Sequence, residues 1–264
     1  MSLLVKANQS GREIVQVTPE RAGWDYVGFS AFRLQANETL EILADAREHC
    51  VVVLTGVISV RSDGEQWREI GERQSVFEER SPYAVYLPNG RAIEISAHSN
   101  AEVALASAPG QGRHDSRLIE PNRMKRSVRG KDLNTRYVCD ILPETEPADS
   151  LLVVEVITPS GHASSYPPHK HDTDNAPTES VLEETYYHRL NPAQGFAFQR
   201  VYTDDRSIDE ALAVEDHDVV MVPRGYHPVV APYGYDSYYL NVMAGPKREW
   251  HFKNDPAHEW IISK

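Results

Sequence analysis

His169-Lys170-His171 places two imidazoles at i and i+2, directly after Pro167-Pro168. Successive side chains of an extended segment alternate faces, so both rings point the same way. Two imidazoles one pleat apart can bind one metal ion, and the preceding prolines stiffen their approach. A carboxylate and a third imidazole would complete a small ligand set. Glu183-Glu184 opens a tyrosine-rich strand, and if both lie on it one faces in and the other out. Glu184 shares a face with Tyr186 and His188, whereas Glu183 shares one with Thr185 and Tyr187. A polar cavity lined by the first set makes chemical sense, so Glu184 is the expected ligand. His227 follows the tight turn at Pro223-Arg224-Gly225, which would carry the chain back across the cavity mouth and aim the ring inward. Three imidazoles and one carboxylate suit Zn²⁺, Mn²⁺, Fe²⁺, Ni²⁺ or Co²⁺, with open positions for a substrate bearing two adjacent oxygens. His162, His217, His251 and His258 lack such context and read as surface or turn histidines.

Short strands must position these groups. Residues 50–54, 57–60, 83–87, 93–95, 102–106, 151–157, 196–202, 219–222 and 238–242 are β-branched or aromatic runs bounded by Gly, Pro, Asn and Asp. Many short strands with turns between them predict an all-β sandwich or barrel. Helix signals are thin; residues 209–212 could form a single turn. An internal echo divides the chain. Val85-Tyr86-Leu87-Pro88-Asn89-Gly90-Arg91-Ala92 matches Val220-Met221-Val222-Pro223-Arg224-Gly225-Tyr226-His227, and each is followed by strands ending near Ala108-Pro109-Gly110 or Ala244-Gly245-Pro246. The expected organisation is a unit at 1–110, a connecting segment at 111–150 and a second unit at 151–264. Ala92 stands where the second copy has His227, and no His-x-His precedes the first copy's Glu48-His49-Cys50. The first unit therefore reads as metal-free and structural, the second as chemical. The connector holds Arg113, Arg117, Arg123, Lys125, Arg126, Arg129, Lys131 and Arg136. These could form an anion site, but in an acidic protein a solvated connector paired with acidic surface is the preferred reading.

The bulk composition bounds the partners. The chain has 264 residues, enough for one large domain or two small ones, each with a real core. Its net charge of −12 argues against nucleic acid as the main partner. No apolar run approaches the ~20 residues of a membrane span. The N-terminus lacks the pattern of a signal peptide. Cys50 and Cys139 are too few for a disulfide framework and lie in apolar runs, so buried free thiols and a cytoplasmic location are expected.

Two β-units with a His-x-His, Glu, His set in one of them resemble a bicupin. The spacing departs from the general cupin motif. Seven residues separate Gly161 from His169, and twelve separate His171 from Glu184, a gap filled by the insertion 173–180. Those departures, with 167–172, Leu182-Glu183-Glu184-Thr185-Tyr186-Tyr187-His188, 223–228, Asn241-Val242-Met243-Ala244-Gly245 and Trp250, resemble the 5-deoxy-glucuronate isomerases of myo-inositol catabolism, relatives of the 4-deoxy-5-hexosulose-uronate isomerases. The resemblance covers nearly the whole chain, most strongly His169 to Trp260. It implies zinc on His169, His171, Glu184 and His227, and aldose–ketose isomerisation of a small sugar acid. Such a reaction needs a group to move a proton between C2 and C1, for which Tyr186 and His188 are candidates by parity with Glu184. The substrate carboxylate needs a cation. Arg224 and Lys170 are nearest in sequence, although Lys170 has opposite parity to its neighbours and points away from the metal. Analogy with cupins also suggests a homo-oligomer. An iron-dependent oxygenase and a non-catalytic sugar-binding bicupin are the alternatives on the same fold.

Overall fold

The computed structural model describes residues 2–262. Each half of the chain builds a larger sheet and a smaller one. In the first half the larger sheet runs in the order Arg117–Ile119, Ala84–Leu87, Arg47–Thr55, Ala101–Pro109, Gly28–Leu34, Glu13–Val17. In the second half the order is Leu4–Val5, Val219–Val222, Glu183–Asn191, Asp236–Ala244, Leu152–Thr158, Arg136–Leu142, Lys125–Arg129. Four-stranded sheets cover the far sides: Thr39–Ile42, Ile93–Ala97, Ile58–Ser62 and Glu65–Ile70 in one half, Ala163–Ser164, Val229–Val230, Phe196–Tyr202 and Asp209–Glu215 in the other. The all-β, two-barrel architecture expected from the sequence is present.

The strands are buried on both faces, which is why they read as continuous apolar runs. One face of each large sheet lines its own barrel, and the other packs against the opposite half. Phe29, Cys50, Val52, Tyr86 and Ala104 from the first half meet Ile141, Val153, Tyr187, Leu240 and Val242 from the second in one shared core. Period-2 alternation therefore sorts each strand between two destinations. On Glu183–Asn191, Tyr186 joins the interior of the second barrel, whereas Tyr187 packs its ring 5.3 Å from that of Phe29.

The segment 111–150 is more than a connector. Arg117–Ile119 pairs with Ala84–Leu87 at the edge of the first half's sheet, while Lys125–Arg129 and Arg136–Leu142 extend the second half's sheet. In return, Leu4–Val5 crosses to pair with Val219–Val222. The expected helical turn at 209–212 is instead the start of the strand Asp209–Glu215. Its inward residues Leu212 and Val214 alternate with exposed Asp209, Ala211, Ala213 and Glu215, and pairing with Phe196–Tyr202 overrides local helix propensity. One short helix that the sequence reading missed, Pro19–Ala22, is capped by the Thr18 side chain. Both cysteines are buried free thiols. No helix among the described residues is long and apolar enough to cross a membrane.

Candidate metal centre

Four side chains converge inside the second barrel. His169 lies on the two-residue strand His169–Lys170, paired with Lys253–Asn254. His171 is tied to the entry of the next strand by two bonds: Leu182 N donates to its carbonyl at 3.0 Å, and its Nδ1 lies 3.1 Å from the Leu182 carbonyl. The insertion between them folds out as a small hairpin, Asp172–Asn175 with Glu179–Val181, so the long sequence gap does not separate His171 from Glu184. His227 is aimed by Gly225, whose φ of +92° is a left-handed value; a Cβ there would stand 2.5 Å from the Tyr202 carbonyl oxygen. One ligand nitrogen from each of His169, His171 and His227 lies within 4.8 Å of the others. Glu184 completes the group, with Oε2 at 3.0 Å from His171 Nε2 and 3.2 Å from His227 Nε2.

The hydrogen bonds fix the tautomers. Nδ1 of His171 and of His227 each faces a backbone carbonyl, Leu182 and Gly225, at 3.1 and 2.8 Å. His169 bonds the backbone of Pro167, which has no N–H, so the ring is again the donor. Each ring thus spends one N–H on a carbonyl and turns its other nitrogen to the centre, the arrangement that orients metal-binding histidines. For His227 the consequence is sharp. Its Nε2 lone pair and a carboxylate oxygen, both acceptors, face each other at 3.2 Å, and Nε2 is buried without a hydrogen-bond partner. A cation between them resolves the conflict. Donor atoms sharing one four-coordinate ion at about 2.1 Å stand roughly 3–3.5 Å apart, the size of the spacings to Glu184. Burial drives the pKa of His169 and of His227 down to about 3, so both rings are neutral and able to ligate. Burial acts the same way on His171, but its bond to Glu184 outweighs it and the net shift is upward.

Glu183, the competing carboxylate, faces the other way. It accepts the backbone N–H groups of Asp25, Tyr26 and Val27 at 2.7, 2.7 and 2.9 Å. It fastens the two halves together and takes no part in the centre.

A cavity of about 40 Å³ adjoins the centre, lined by His169, Glu184, Tyr186, Tyr239, Arg136 and Trp250 among others. It shares His169, Arg129, Arg136 and Trp250 with an outer cavity of about 410 Å³. Tyr186 faces the inner cavity, its hydroxyl 3.0 Å from Ser165 Oγ, and burial holds its pKa well above that of a free phenol. His188 does not line the cavity. It lies one pleat farther along the strand, with Nε2 2.9 Å from Gln199 Oε1, and burial pulls its pKa down to about 4.

The two cations expected to meet the substrate are elsewhere. Lys170 is buried among Asp172, Asp204 and Glu179 at 2.6, 3.3 and 3.5 Å, as its parity foretold. Arg224 is exposed and bonds Ser207 Oγ at 3.1 Å. The cations at the cavity are Arg129 and Arg136, from the segment read as a solvated connector. That reading holds for Arg113, which pairs with Asp149 at 2.7 Å, but not for these two. The pairing of Arg136–Leu142 into the second sheet carries them to the site, and only a strand assignment there could have revealed it.

Comparison with known proteins agrees with this architecture. The model of the KduI/IolB family matches residues 3–261. A 5-deoxy-glucuronate isomerase from Geobacillus kaustophilus is 53% identical over 265 residues, covering 99% of this chain and 96% of the relative. The protein of the same name from Bacillus subtilis strain 168 is 50% identical over the full length of both chains. The crystal structure of an IolB-like protein from Salmonella typhimurium LT2 superimposes with a TM-score of 0.97 at 49% identity, covering 99% of each chain. An oxalate decarboxylase from Lactobacillus farciminis shares the fold alone, with a TM-score of 0.67 at 12% identity over 96% of this chain and 88% of that one. The two-barrel architecture is thus that of the bicupins, and with half its residues shared along the whole length, this chain belongs to the KduI/IolB family.

Proposed function

We propose that this protein is an aldose–ketose isomerase that converts 5-deoxy-D-glucuronate to 2-deoxy-5-keto-D-gluconate in myo-inositol catabolism, in the cytoplasm. The observation that carries the site assignment is the buried His227 nitrogen facing a Glu184 oxygen with no hydrogen between them. The identity with named isomerases supports the reaction. His169, His171, Glu184 and His227 would hold a divalent ion, zinc on the family resemblance, since three imidazoles and a carboxylate suit several first-row metals. Such an ion supplies Lewis acidity to a carbonyl and its neighbouring hydroxyl.

The chain's own groups do the rest. The outer cavity admits the sugar acid, and the narrow inner one strips water from its reacting end. Tyr186 keeps its proton at neutral pH, because burial opposes the phenolate. It therefore serves as a hydrogen-bond and proton donor to a substrate oxygen at C1 or C2, with Ser165 holding the hydroxyl in place. His188, screened from the cavity, supports the Tyr186 ring, with centroids 6.0 Å apart in a stacked arrangement.

The test is conversion of 5-deoxy-D-glucuronate followed by NMR without oxygen, on protein whose metal content has been measured. Formation of the ketose under those conditions supports the isomerase. A requirement for O₂ would instead favour an oxygenase, and unchanged sugar acid with metal-loaded protein a binding role.

A further inference from the structure

The outer cavity is cationic in a protein of net charge −12. Arg129, Lys131 and Arg136 line it, and among the described residues no aspartate or glutamate does. Arg129 is partly committed: its Nη2 lies 3.6 Å from Asp140, and its guanidinium sits 5.6 Å from the centre of the Trp250 ring. Arg136 is not. Among the described residues its hydrogen bonds run from Nη1, to the Asn134 carbonyl at 3.1 Å and the Asn134 side-chain oxygen at 3.2 Å. Among the described residues no carboxylate pairs with it. A half-buried guanidinium without an anion is costly unless something else supplies the charge. A second donor lies beside this space: Trp250, like Arg136, borders both cavities, and its Nε1 is buried without an acceptor among the described residues.

The loop before Arg136 is built to hold it. Gly130 has φ of +75°, and a Cβ there would stand 2.1 Å from the Asn134 carbonyl oxygen and 2.7 Å from Arg136 Nη1. Asn134 in turn donates from Nδ2 to the Tyr166 carbonyl at 2.9 Å, tying the loop to the chain that leads into His169. The guanidinium is therefore positioned by the loop and by Asn134 rather than by an ion pair, with its remaining N–H groups free to grip a planar anion.

We propose that Arg136 and the Trp250 indole N–H form the subsite that binds the substrate's carboxylate, with Arg129 adding positive charge beside them. This rests on the sugar-acid reading above and assigns its specificity. The carbonyl end of a six-carbon uronate then enters the inner cavity while the carboxylate stays at the junction with the outer one. The aromatic wall of Trp250 and Phe252, ring centroids 6.3 Å apart, faces the chain between them and suits the methylene next to the carboxylate.

The experiment compares binding of D-glucuronate and D-glucose, which differ only at C6, to metal-loaded protein by calorimetry. It is repeated on Arg136→Gln, Arg136→Lys and Trp250→Phe, alongside kinetics with 5-deoxy-D-glucuronate. Wild type should prefer the acid. Losing a charge-assisted pair should weaken glucuronate binding about 10- to 100-fold in Arg136→Gln and leave glucose binding unchanged. Arg136→Lys should recover part of the preference, Trp250→Phe should lose a smaller part, and KM should rise more than kcat falls. Metal content should stay at the wild-type value in all three. A folded, metal-loaded Arg136→Gln protein that keeps its preference for the acid would overturn the subsite, as would a wild type with none. Should Arg136→Gln fail to fold, an unchanged preference in both Arg136→Lys and Trp250→Phe would overturn it equally. Lack of turnover in a wild type that still binds glucuronate through Arg136 would overturn the isomerase reading and leave the subsite standing.

Discussion

The two barrels share a frame and differ in what fills it. Their large sheets have the same central strand order, and aligning Leu87-Pro88 with Val222-Pro223 sets residues 48–53 in register with residues 183–188. Leu87 pairs with His49, and Val222 pairs with Glu184. Stepping along the inward face, Val51 and Val53 stand where the second barrel has Tyr186 and His188. On the next strand Leu105 and Val103 replace Asn241 and Tyr239. The first interior is filled by Phe32, Val51, Val53, Val85, Val103 and Leu105. The outward face tells the opposite story. Glu48 and Glu183 occupy equivalent positions, and each reaches into the other half. Glu183 takes the N–H groups of residues 25–27, and Glu48 takes those of Asp149, Ser150 and Leu151 at 2.7, 2.6 and 2.6 Å. The pairing of the two halves thus uses both copies of the unit, whereas the cluster of three histidines and Glu184 lies in one interior only among the described residues. Alternation along a strand lets these two demands be met independently.

That division can be broken from either side. The largest effect is expected from His227→Ala, which should lower bound metal to background and turnover by roughly 10³-fold or more, with circular dichroism unchanged. Glu48→Gln and Glu183→Gln should act on the outward face alone. Each leaves buried N–H donors facing an amide, and each should cost about 3–4 kcal/mol in denaturant unfolding with metal content intact. Unequal costs would mean the two contacts are not equivalent. A third expectation concerns pH. His188 has a folded pKa of about 4 against about 6.5 unfolded, so the unfolded chain binds the extra proton between those values. Stability should fall as pH drops from about 6.5 to 4, by on the order of 3 kcal/mol from this group, and the fall should shrink in His188→Gln. Tyr186→Phe should lower kcat about 10²-fold while keeping the metal. The smallest effect belongs to His49→Ala, at the position matching Glu184. It should cost about 1–2 kcal/mol and leave metal and activity as they were.

Much of this was legible in the sequence because it depends on period-2 alternation. Parity favoured Glu184 over Glu183, and Glu184 is the one that lies beside His171 and His227, while the Pro-x-Gly echo aligned His227 with Ala92. What alternation cannot report is pairing between distant segments. The strand at Arg136–Leu142 joins the second sheet through contacts with Leu152–Thr158, so a run of basic residues that looked solvated delivers Arg129 and Arg136 to the cavity. Nearness in sequence misled for the same reason. Arg224 adjoins the turn before His227, yet that turn projects it to solvent, and Lys170 is consumed by three carboxylates. Residues 209–215 show the converse: a locally helical stretch became a strand because its alternating Leu212 and Val214 found a barrel wall to cover.

The most direct measurement is metal stoichiometry set against turnover. Protein stripped by a chelator, reloaded with zinc and assayed anaerobically on 5-deoxy-D-glucuronate should regain activity in proportion to bound ion, reaching its maximum at one ion per chain. Full turnover by the stripped protein, or saturation of activity at a stoichiometry unrelated to a single centre in the second barrel, would contradict the account.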